Sequence, residues 1–316
     1  MSETSPRIAL GGMHFGTRVP TTLAHDILDA YVDLGGEWID TANCYAFWGD
    51  DSGHGGQSES VIGEWLTRHG DRDHIKLSTK VGAEPLRPGS FPDAVEGLSG
   101  PVVRNSIQDS LRRLNVDHVD LYWAHMEDRT QPVSDVVDTF GGLVADGLTR
   151  HIGLSNHPAW YLAAANTHAE HQGGTRFSAA QLRESYLHPR PDILVDGQDH
   201  PNGMMTPETK DLASRFELSL WAYTPLMTGA YEHLDRVLPA AYDHPGNSAR
   251  LTALRAWARE LQVKPSQVVI AWLLAQHPSI TPIVGVSSTL QLTQAIKATT
   301  LTLPDEAQAE LNTAGG

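Results

Sequence analysis

Val119-Asp120-Leu121-Tyr122-Trp123-Ala124-His125 is a short, mostly apolar, strand-like run that ends on an ionisable residue. Residues 133–145 follow with apolar positions at helical spacing, and Arg150-His151-Ile152-Gly153-Leu154 is strand-like again. Strand, helix and strand in this order make one βα unit and the start of the next. Working outward, the same alternation covers nearly the whole chain. Strands are predicted at 8–10, 37–40, 75–80, 119–125, 150–154, 178–181, 219–223 and 281–284. Helices are predicted at 23–34, 59–68, 102–114, 133–145, 158–171, 206–216, 251–276 and 290–298, with a last one near 304–312. Ser58-Glu59-Ser60 before an apolar face, Gly100-Pro101, and Lys264-Pro265-Ser266 read as helix starts. Eight evenly spaced βα units predict an α/β fold, a closed (β/α)8 TIM barrel, with residues 1–316 as a single domain. The open doubly wound alternative would be favoured by G-x-G-x-x-G after the first strand, which Leu10-Gly11-Gly12-Met13-His14-Phe15-Gly16 does not supply.

A chain of 316 residues can bury about 75% of its unfolded surface, so its core needs no covalent staples. Its 23 Lys and Arg against 38 Asp and Glu leave a net charge of −15, which repels nucleic acid and anionic lipid surfaces. The single cysteine, Cys44, excludes a disulfide framework and a multi-thiolate metal site, and suits a reducing compartment. Residues 1–7 lack the apolar core of a secretory signal, and no run reaches the roughly 18 apolar residues of a membrane span. A cytoplasmic location, no membrane partner and a monomer are the expectations. Two stretches, 47–57 and 187–203, read as long loops over one end of the barrel.

In such a barrel the site is built where strands end and βα loops begin. Strand two ends at Asp40, with Tyr45 one loop turn later; strand three ends at Lys80 and strand four at His125. Singly, a strand-end Asp and Lys make a salt bridge, and a lone His fills a core. At successive strand ends they converge on one mouth. A half-buried charge there costs several kcal/mol unless paired, and Asp40 and Lys80 can pair. A phenol titrates near pH 10 and exchanges a proton at neutral pH only beside a cation, which Lys80 can be. His125 can hydrogen-bond a substrate oxygen.

Asp40, Tyr45, Lys80 and His125, in this order, resemble the catalytic tetrad of the aldo/keto reductase superfamily. Leu10-Gly11-Gly12, Asp40-Thr41-Ala42-Asn43-Cys44-Tyr45, Ser58-Glu59-Ser60-Val61-Ile62-Gly63, Gly153-Leu154-Ser155-Asn156, Tyr223-Thr224-Pro225-Leu226 and Gly285-Val286-Ser287-Ser288 are family-like as well. The resemblance spans essentially the whole chain, and its potassium-channel β-subunit-like branch shares the segment 285–288 and Gln291. It implies hydride transfer between a nicotinamide cofactor and a carbonyl, with Tyr45 protonating the alkoxide. It further implies that Ser155, Asn156 and Gln181 bind the carboxamide and that Asp40 reaches the ribose. Tyr223, Thr224, Pro225, Leu226 and Thr228 would line the pyrophosphate, and Ser287 and Gln291 would hold the adenosine end. NADP(H) is favoured over NAD(H) because the family uses it more often. Three positions depart from the family. Glu184 stands where a ring-stacking Tyr is expected three residues after Gln181, with Tyr186 nearest; Ala295 replaces an adenine-binding Asn; and the run 285–288 lacks a base for the 2′-phosphate, for which Arg250 is the nearest substitute.

His14, Trp48 and Trp123 are expected to frame a substrate pocket for a small carbonyl compound, sugar-like or aromatic, with filling of the barrel interior the equal alternative for Trp123. Cys44 is expected to be a small buried filler. Two other functions remain open: a cofactor-binding sensor with little turnover, and a metal-dependent hydrolase or isomerase. The second is disfavoured, since His168 and His171 lie on an outer helix and no carboxylates ring the strand ends. No metal is expected.

Overall fold

The structure is a computed structural model and describes residues 7–70, 72–193, 195, 203–233 and 236–315. Eight strands, β1 (Ala9–Gly11), β2 (Trp38–Asp40), β3 (Lys76–Val81), β4 (Val119–Ala124), β5 (Thr149–Ser155), β6 (Ala179–Arg183), β7 (Ser219–Tyr223) and β8 (Ile280–Val284), close into a barrel in sequence order. All neighbours are parallel, and β8 pairs back onto β1 with Ala9 opposite Ile283. Between β1 and β7 each crossover carries one helix: α1 (Thr21–Asp33), α2 (Gln57–His69), α3 (Gly100–Leu114), α4 (Val133–Ala145), α5 (Ala159–Gln172) and α6 (Pro207–Phe216). The α3 start follows the sequence reading, with Pro101 in the first turn and Val103, Ile107, Leu111 and Leu114 forming its buried face.

Three expectations are corrected. The helix predicted over 251–276 is two, α7 (Pro245–Glu260) and α8 (Pro265–Leu274), because Gln262 turns left-handed at φ 54° and Pro265 cannot continue a helix from the preceding turn. Ser58 does not start α2. The helix begins at Gln57, and the Ser58 hydroxyl binds the Gly12 carbonyl at 2.8 Å and the Thr41 hydroxyl at 2.7 Å instead, tying α2 to the β1 and β2 loops. Strand β6 runs two residues past Gln181, to Arg183. After β8 come α9 (Thr289–Ala298) and α10 (Asp305–Thr313). The predicted loop 187–203 lies partly outside the described residues.

The apolar face of each helix packs on the outside of the sheet and makes the main core. Inside the barrel, Trp38, Trp123 and Trp221 meet edge to face, with centroids 5.1 Å apart for Trp38 and Trp221 and 5.6 Å for Trp123 and Trp221. Each tryptophan precedes a mouth residue, Asp40, His125 or Tyr223, by two positions, so it sits on the same strand face one layer lower. The indole plug floors the mouth.

Candidate active site

The period of two along β2 and β3 turns Asp40, Ser78 and Lys80 inward at the carboxyl end of the barrel. Lys80 is fully buried and Asp40 is 1% exposed. Burial at this depth demands partners for both charges. The ammonium donates to Asp40 Oδ2 at 2.5 Å, to the Thr41 carbonyl at 2.7 Å and to the Tyr45 phenol oxygen at 3.0 Å. Three donors thus meet three acceptors. Asp40 Oδ1 accepts from Ser78 Oγ at 2.6 Å and from Gln181 Nε2 at 3.2 Å, which links β2, β3 and β6 across the mouth. Lys80 also lies over the Tyr45 ring, 4.6 Å from its centroid.

His125 completes the set. Its ring stands edge-on to Tyr45 with centroids 5.8 Å apart. Desolvation, reinforced by the Lys80 charge, pushes its pKa well below the usual imidazole value, so the ring is neutral at physiological pH. The structure therefore brings Asp40, Tyr45, Lys80 and His125 together.

The remaining expected cofactor residues fall into three groups. Asn156 is left-handed at φ 57°, a conformation asparagine tolerates, and its amide donates to the His125 carbonyl at 3.0 Å while its oxygen accepts from the Tyr223 hydroxyl at 2.8 Å. Ser155, Asn156, Gln181 and Tyr223 thus gather beside the Asp40–Lys80 pair. Behind β7, Thr224 and Thr228 are also left-handed, at φ 54° and 51°. That conformation strains a β-branched residue, and the loop between the two carries Pro225 and Leu226. Arg236 donates to the Thr228 carbonyl. At the third place Gln291 Oε1 accepts from Ser287 N at 2.8 Å and from Ser287 Oγ at 3.1 Å, whereas Ser288 caps α9. A Cβ added to the adjacent Gly285 would meet nothing nearer than the Gly11 carbonyl at 3.8 Å, which leaves room against the backbone there.

Several expected positions lie elsewhere. Trp123 is wholly buried in the indole plug and touches Gly153 closely, so it floors the mouth and does not line it. Glu184 is buried with its carboxylate 3.3 Å from Lys210, and burial raises its pKa. Tyr186 is buried edge-on to Trp272 of α8, under the Arg250 guanidinium. Glu184 thus pairs with α6 and Tyr186 packs on α8, and Arg250 is committed to the Tyr186 ring and carbonyl. Tyr223 is the ring the structure places beside the amide group. His14 and Trp48 do face the mouth: Trp48 is 42% exposed, 6.1 Å from His14 and 6.3 Å from Tyr45 between centroids.

Sequence reasoning missed three residues here. Ser78 was accessible through its spacing from Lys80 along β3. Phe91 packs on Phe47 at 5.2 Å from a β3 loop that folds back on itself, with Pro85 bridged to Val95. Arg236 and Phe91 carry no local signal, since only loop folding brings them in. The contact of Cys44 with His125 is likewise tertiary.

A paired Lys and Asp, a phenol and a neutral imidazole thus meet at the carboxyl mouth of a closed parallel barrel, the end at which barrel enzymes carry their sites. The chain belongs to the aldo/keto reductase family, whose sequence profile matches residues 7–315. It is 30% identical over 322 residues to the oxidoreductase YrpG of Bacillus subtilis, covering 97% of this chain and 91% of that one. It is 31% identical over 310 residues to norsolorinic acid reductase stcV of Emericella nidulans, covering 95% and 75%. A shorter match, 32% over 183 residues and 54% and 46% of the two chains, is to an NADP(+) aryl-alcohol dehydrogenase of Phanerodontia chrysosporium. The protein is an oxidoreductase. Among the described residues no helix is long and apolar enough to cross a membrane, and no three His, Cys, Asp or Glu are grouped to hold a metal ion.

Proposed function

We propose that this protein reduces an aldehyde or ketone to an alcohol with NADP(H), with Tyr45 as proton donor and with planar, apolar carbonyl compounds as its preferred substrates. The observation that carries the reading is the ammonium of Lys80 held between Asp40 and the Tyr45 oxygen. Because Lys80 donates to that oxygen, the phenol can give its own proton to a carbonyl at the mouth. When it leaves, the phenolate stays paired with an ammonium already in contact, so little reorganisation is needed. Asp40 offsets the Lys80 charge beforehand, and Ser78 and Gln181 hold the carboxylate still. His125, neutral, donates a hydrogen bond to the carbonyl oxygen and polarises it. The nicotinamide, when bound, supplies the hydride.

The donor set suits that cofactor. Ser155, Asn156 and Gln181 are amide and hydroxyl groups matched to a carboxamide, Tyr223 offers a ring face beside them, and Arg236 offers a cation to phosphate at the strained loop. Preference for NADP(H) is supported by the cofactor in the name of the Phanerodontia chrysosporium relative. The aromatic cluster of Trp48, His14, Phe47 and Phe91, packed edge to face or tilted, favours an aryl substrate over a sugar. The deciding experiment is Tyr45→Phe assayed on aromatic aldehydes. Turnover should fall by about a thousandfold while NADPH still quenches tryptophan fluorescence with an unchanged Kd. Turnover within tenfold of the parent removes Tyr45 from the proton-donor role, and tighter NADH than NADPH quenching reverses the cofactor assignment.

A further inference from the structure

Cys44 has no task in the reaction described so far. The loop that exposes Tyr45 turns Cys44 the other way, into a small cluster with Ala42, Ala83 and Met126 beneath the mouth, where it is 3% exposed. Its sulfur stands 3.6 Å from Nδ1 of His125, within hydrogen-bonding reach of a thiol. A neutral imidazole carries one ring proton, and whichever nitrogen lacks it is an acceptor. Main-chain bonds hold the residue in place: the His125 N–H donates to the Val81 carbonyl at 2.8 Å, and its carbonyl accepts from Asn156. What they leave open is which nitrogen holds the proton.

We propose that Cys44 is a positioning residue for His125: its S–H donates to Nδ1 and so fixes the imidazole as the Nε2–H tautomer. A thiol among apolar neighbours keeps its proton, so the sulfur is a donor here and a poor acceptor. Burial and Lys80 disfavour a second ring proton, which excludes a thiolate–imidazolium pair. The opposite tautomer would present a bare Nε2 lone pair to a carbonyl oxygen that is itself an acceptor, and the two would repel. The inference rests on the role proposed above for His125. It adds that the single cysteine, adjacent in sequence to the acid, sets the proton position of the hydrogen-bond donor.

The test is long-range 15N–1H correlation of the imidazole rings in the full-length protein, with the His125 signal assigned by its loss in His125→Gln. The spectra are recorded without substrate, so failure of the carbonyl-reductase reading leaves the tautomer result untouched. The parent should show Nε2 protonated and Nδ1 bare. Cys44→Ala should show the two tautomers mixed, with kcat on an aromatic aldehyde lower by about three- to tenfold, the weight of one modest hydrogen bond, and the NADPH Kd unmoved. Cys44→Ser, which keeps a donor on a shorter bond, should lie between the two. A proton on Nδ1 in the parent overturns the proposal, as does a Cys44→Ala spectrum identical to the parent's. If Cys44→Ala does not fold, the parent spectrum and Cys44→Ser still decide.

Discussion

At the scale of single residues, the Asp40–Lys80 pair is the costliest contact to break, because both side chains are out of water and each satisfies the other. Lys80→Met leaves a buried carboxylate without its cation and should destabilise the fold by about 3–5 kcal/mol, lowering Tm by on the order of 10 °C. The double variant Asp40→Asn with Lys80→Met should recover part of that loss, since no lone charge remains. Thermal unfolding of the three proteins checks this, and an additive loss in the double variant argues against coupling. His125 makes a pH prediction. Its folded pKa is depressed, so below about pH 6.5 the unfolded chain takes up a proton that the folded one refuses. Stability from this group is complete above that pH and declines as pH falls. His125→Gln should therefore flatten the fall in Tm between pH 7 and pH 5, and an equally steep fall would assign it to other groups.

At the scale of elements, α2 and α3 touch through Gly63. A Cβ there would stand 2.0 Å from the Arg113 carbonyl, which the α3 backbone cannot yield without moving. Close by, the buried Glu59 of α2 accepts from Arg113 of α3 at 2.7 Å and from Thr79 of β3, so the two helices are locked to the strand that carries Lys80. Gly63→Ala should cost upwards of about 3 kcal/mol by overpacking. Gly70, left-handed at the end of α2 with open space around it, should cost only about 1–2 kcal/mol when changed to Ala. Urea titrations of both variants compare the two terms, and equal losses would contradict the contact. Element identity was legible because apolar positions recur with period two or 3.6. Boundaries were less so: the break between α7 and α8 was signalled by Lys264-Pro265, but the fold-back of the β3 loop that delivers Phe91 had no such mark.

At the scale of the whole molecule, the net charge of −15 sets a long-range field against an anionic dinucleotide. On the proposed function, Arg236 and any other cation that meets the phosphates must act locally. Raising salt from about 10 mM to about 150 mM shortens the reach of the field to roughly 8 Å, so the association rate of NADPH should rise across that range before close contacts are screened as well. Stopped-flow fluorescence measures it; a monotonic fall would mean that a cationic patch dominates the approach.

Closed parallel order and the inward set Asp40, Lys80 and His125 were determined by the sequence alone, because strand period and strand-end position are local properties of the chain. Tertiary structure alone decided the rest. It moved Trp123 beneath the mouth, set Glu184 and Tyr186 against α6 and α8, brought Arg236 to Thr228, and put the Cys44 sulfur on His125. Each of these depends on which loops fold across which strand ends, and no spacing within one element encodes that.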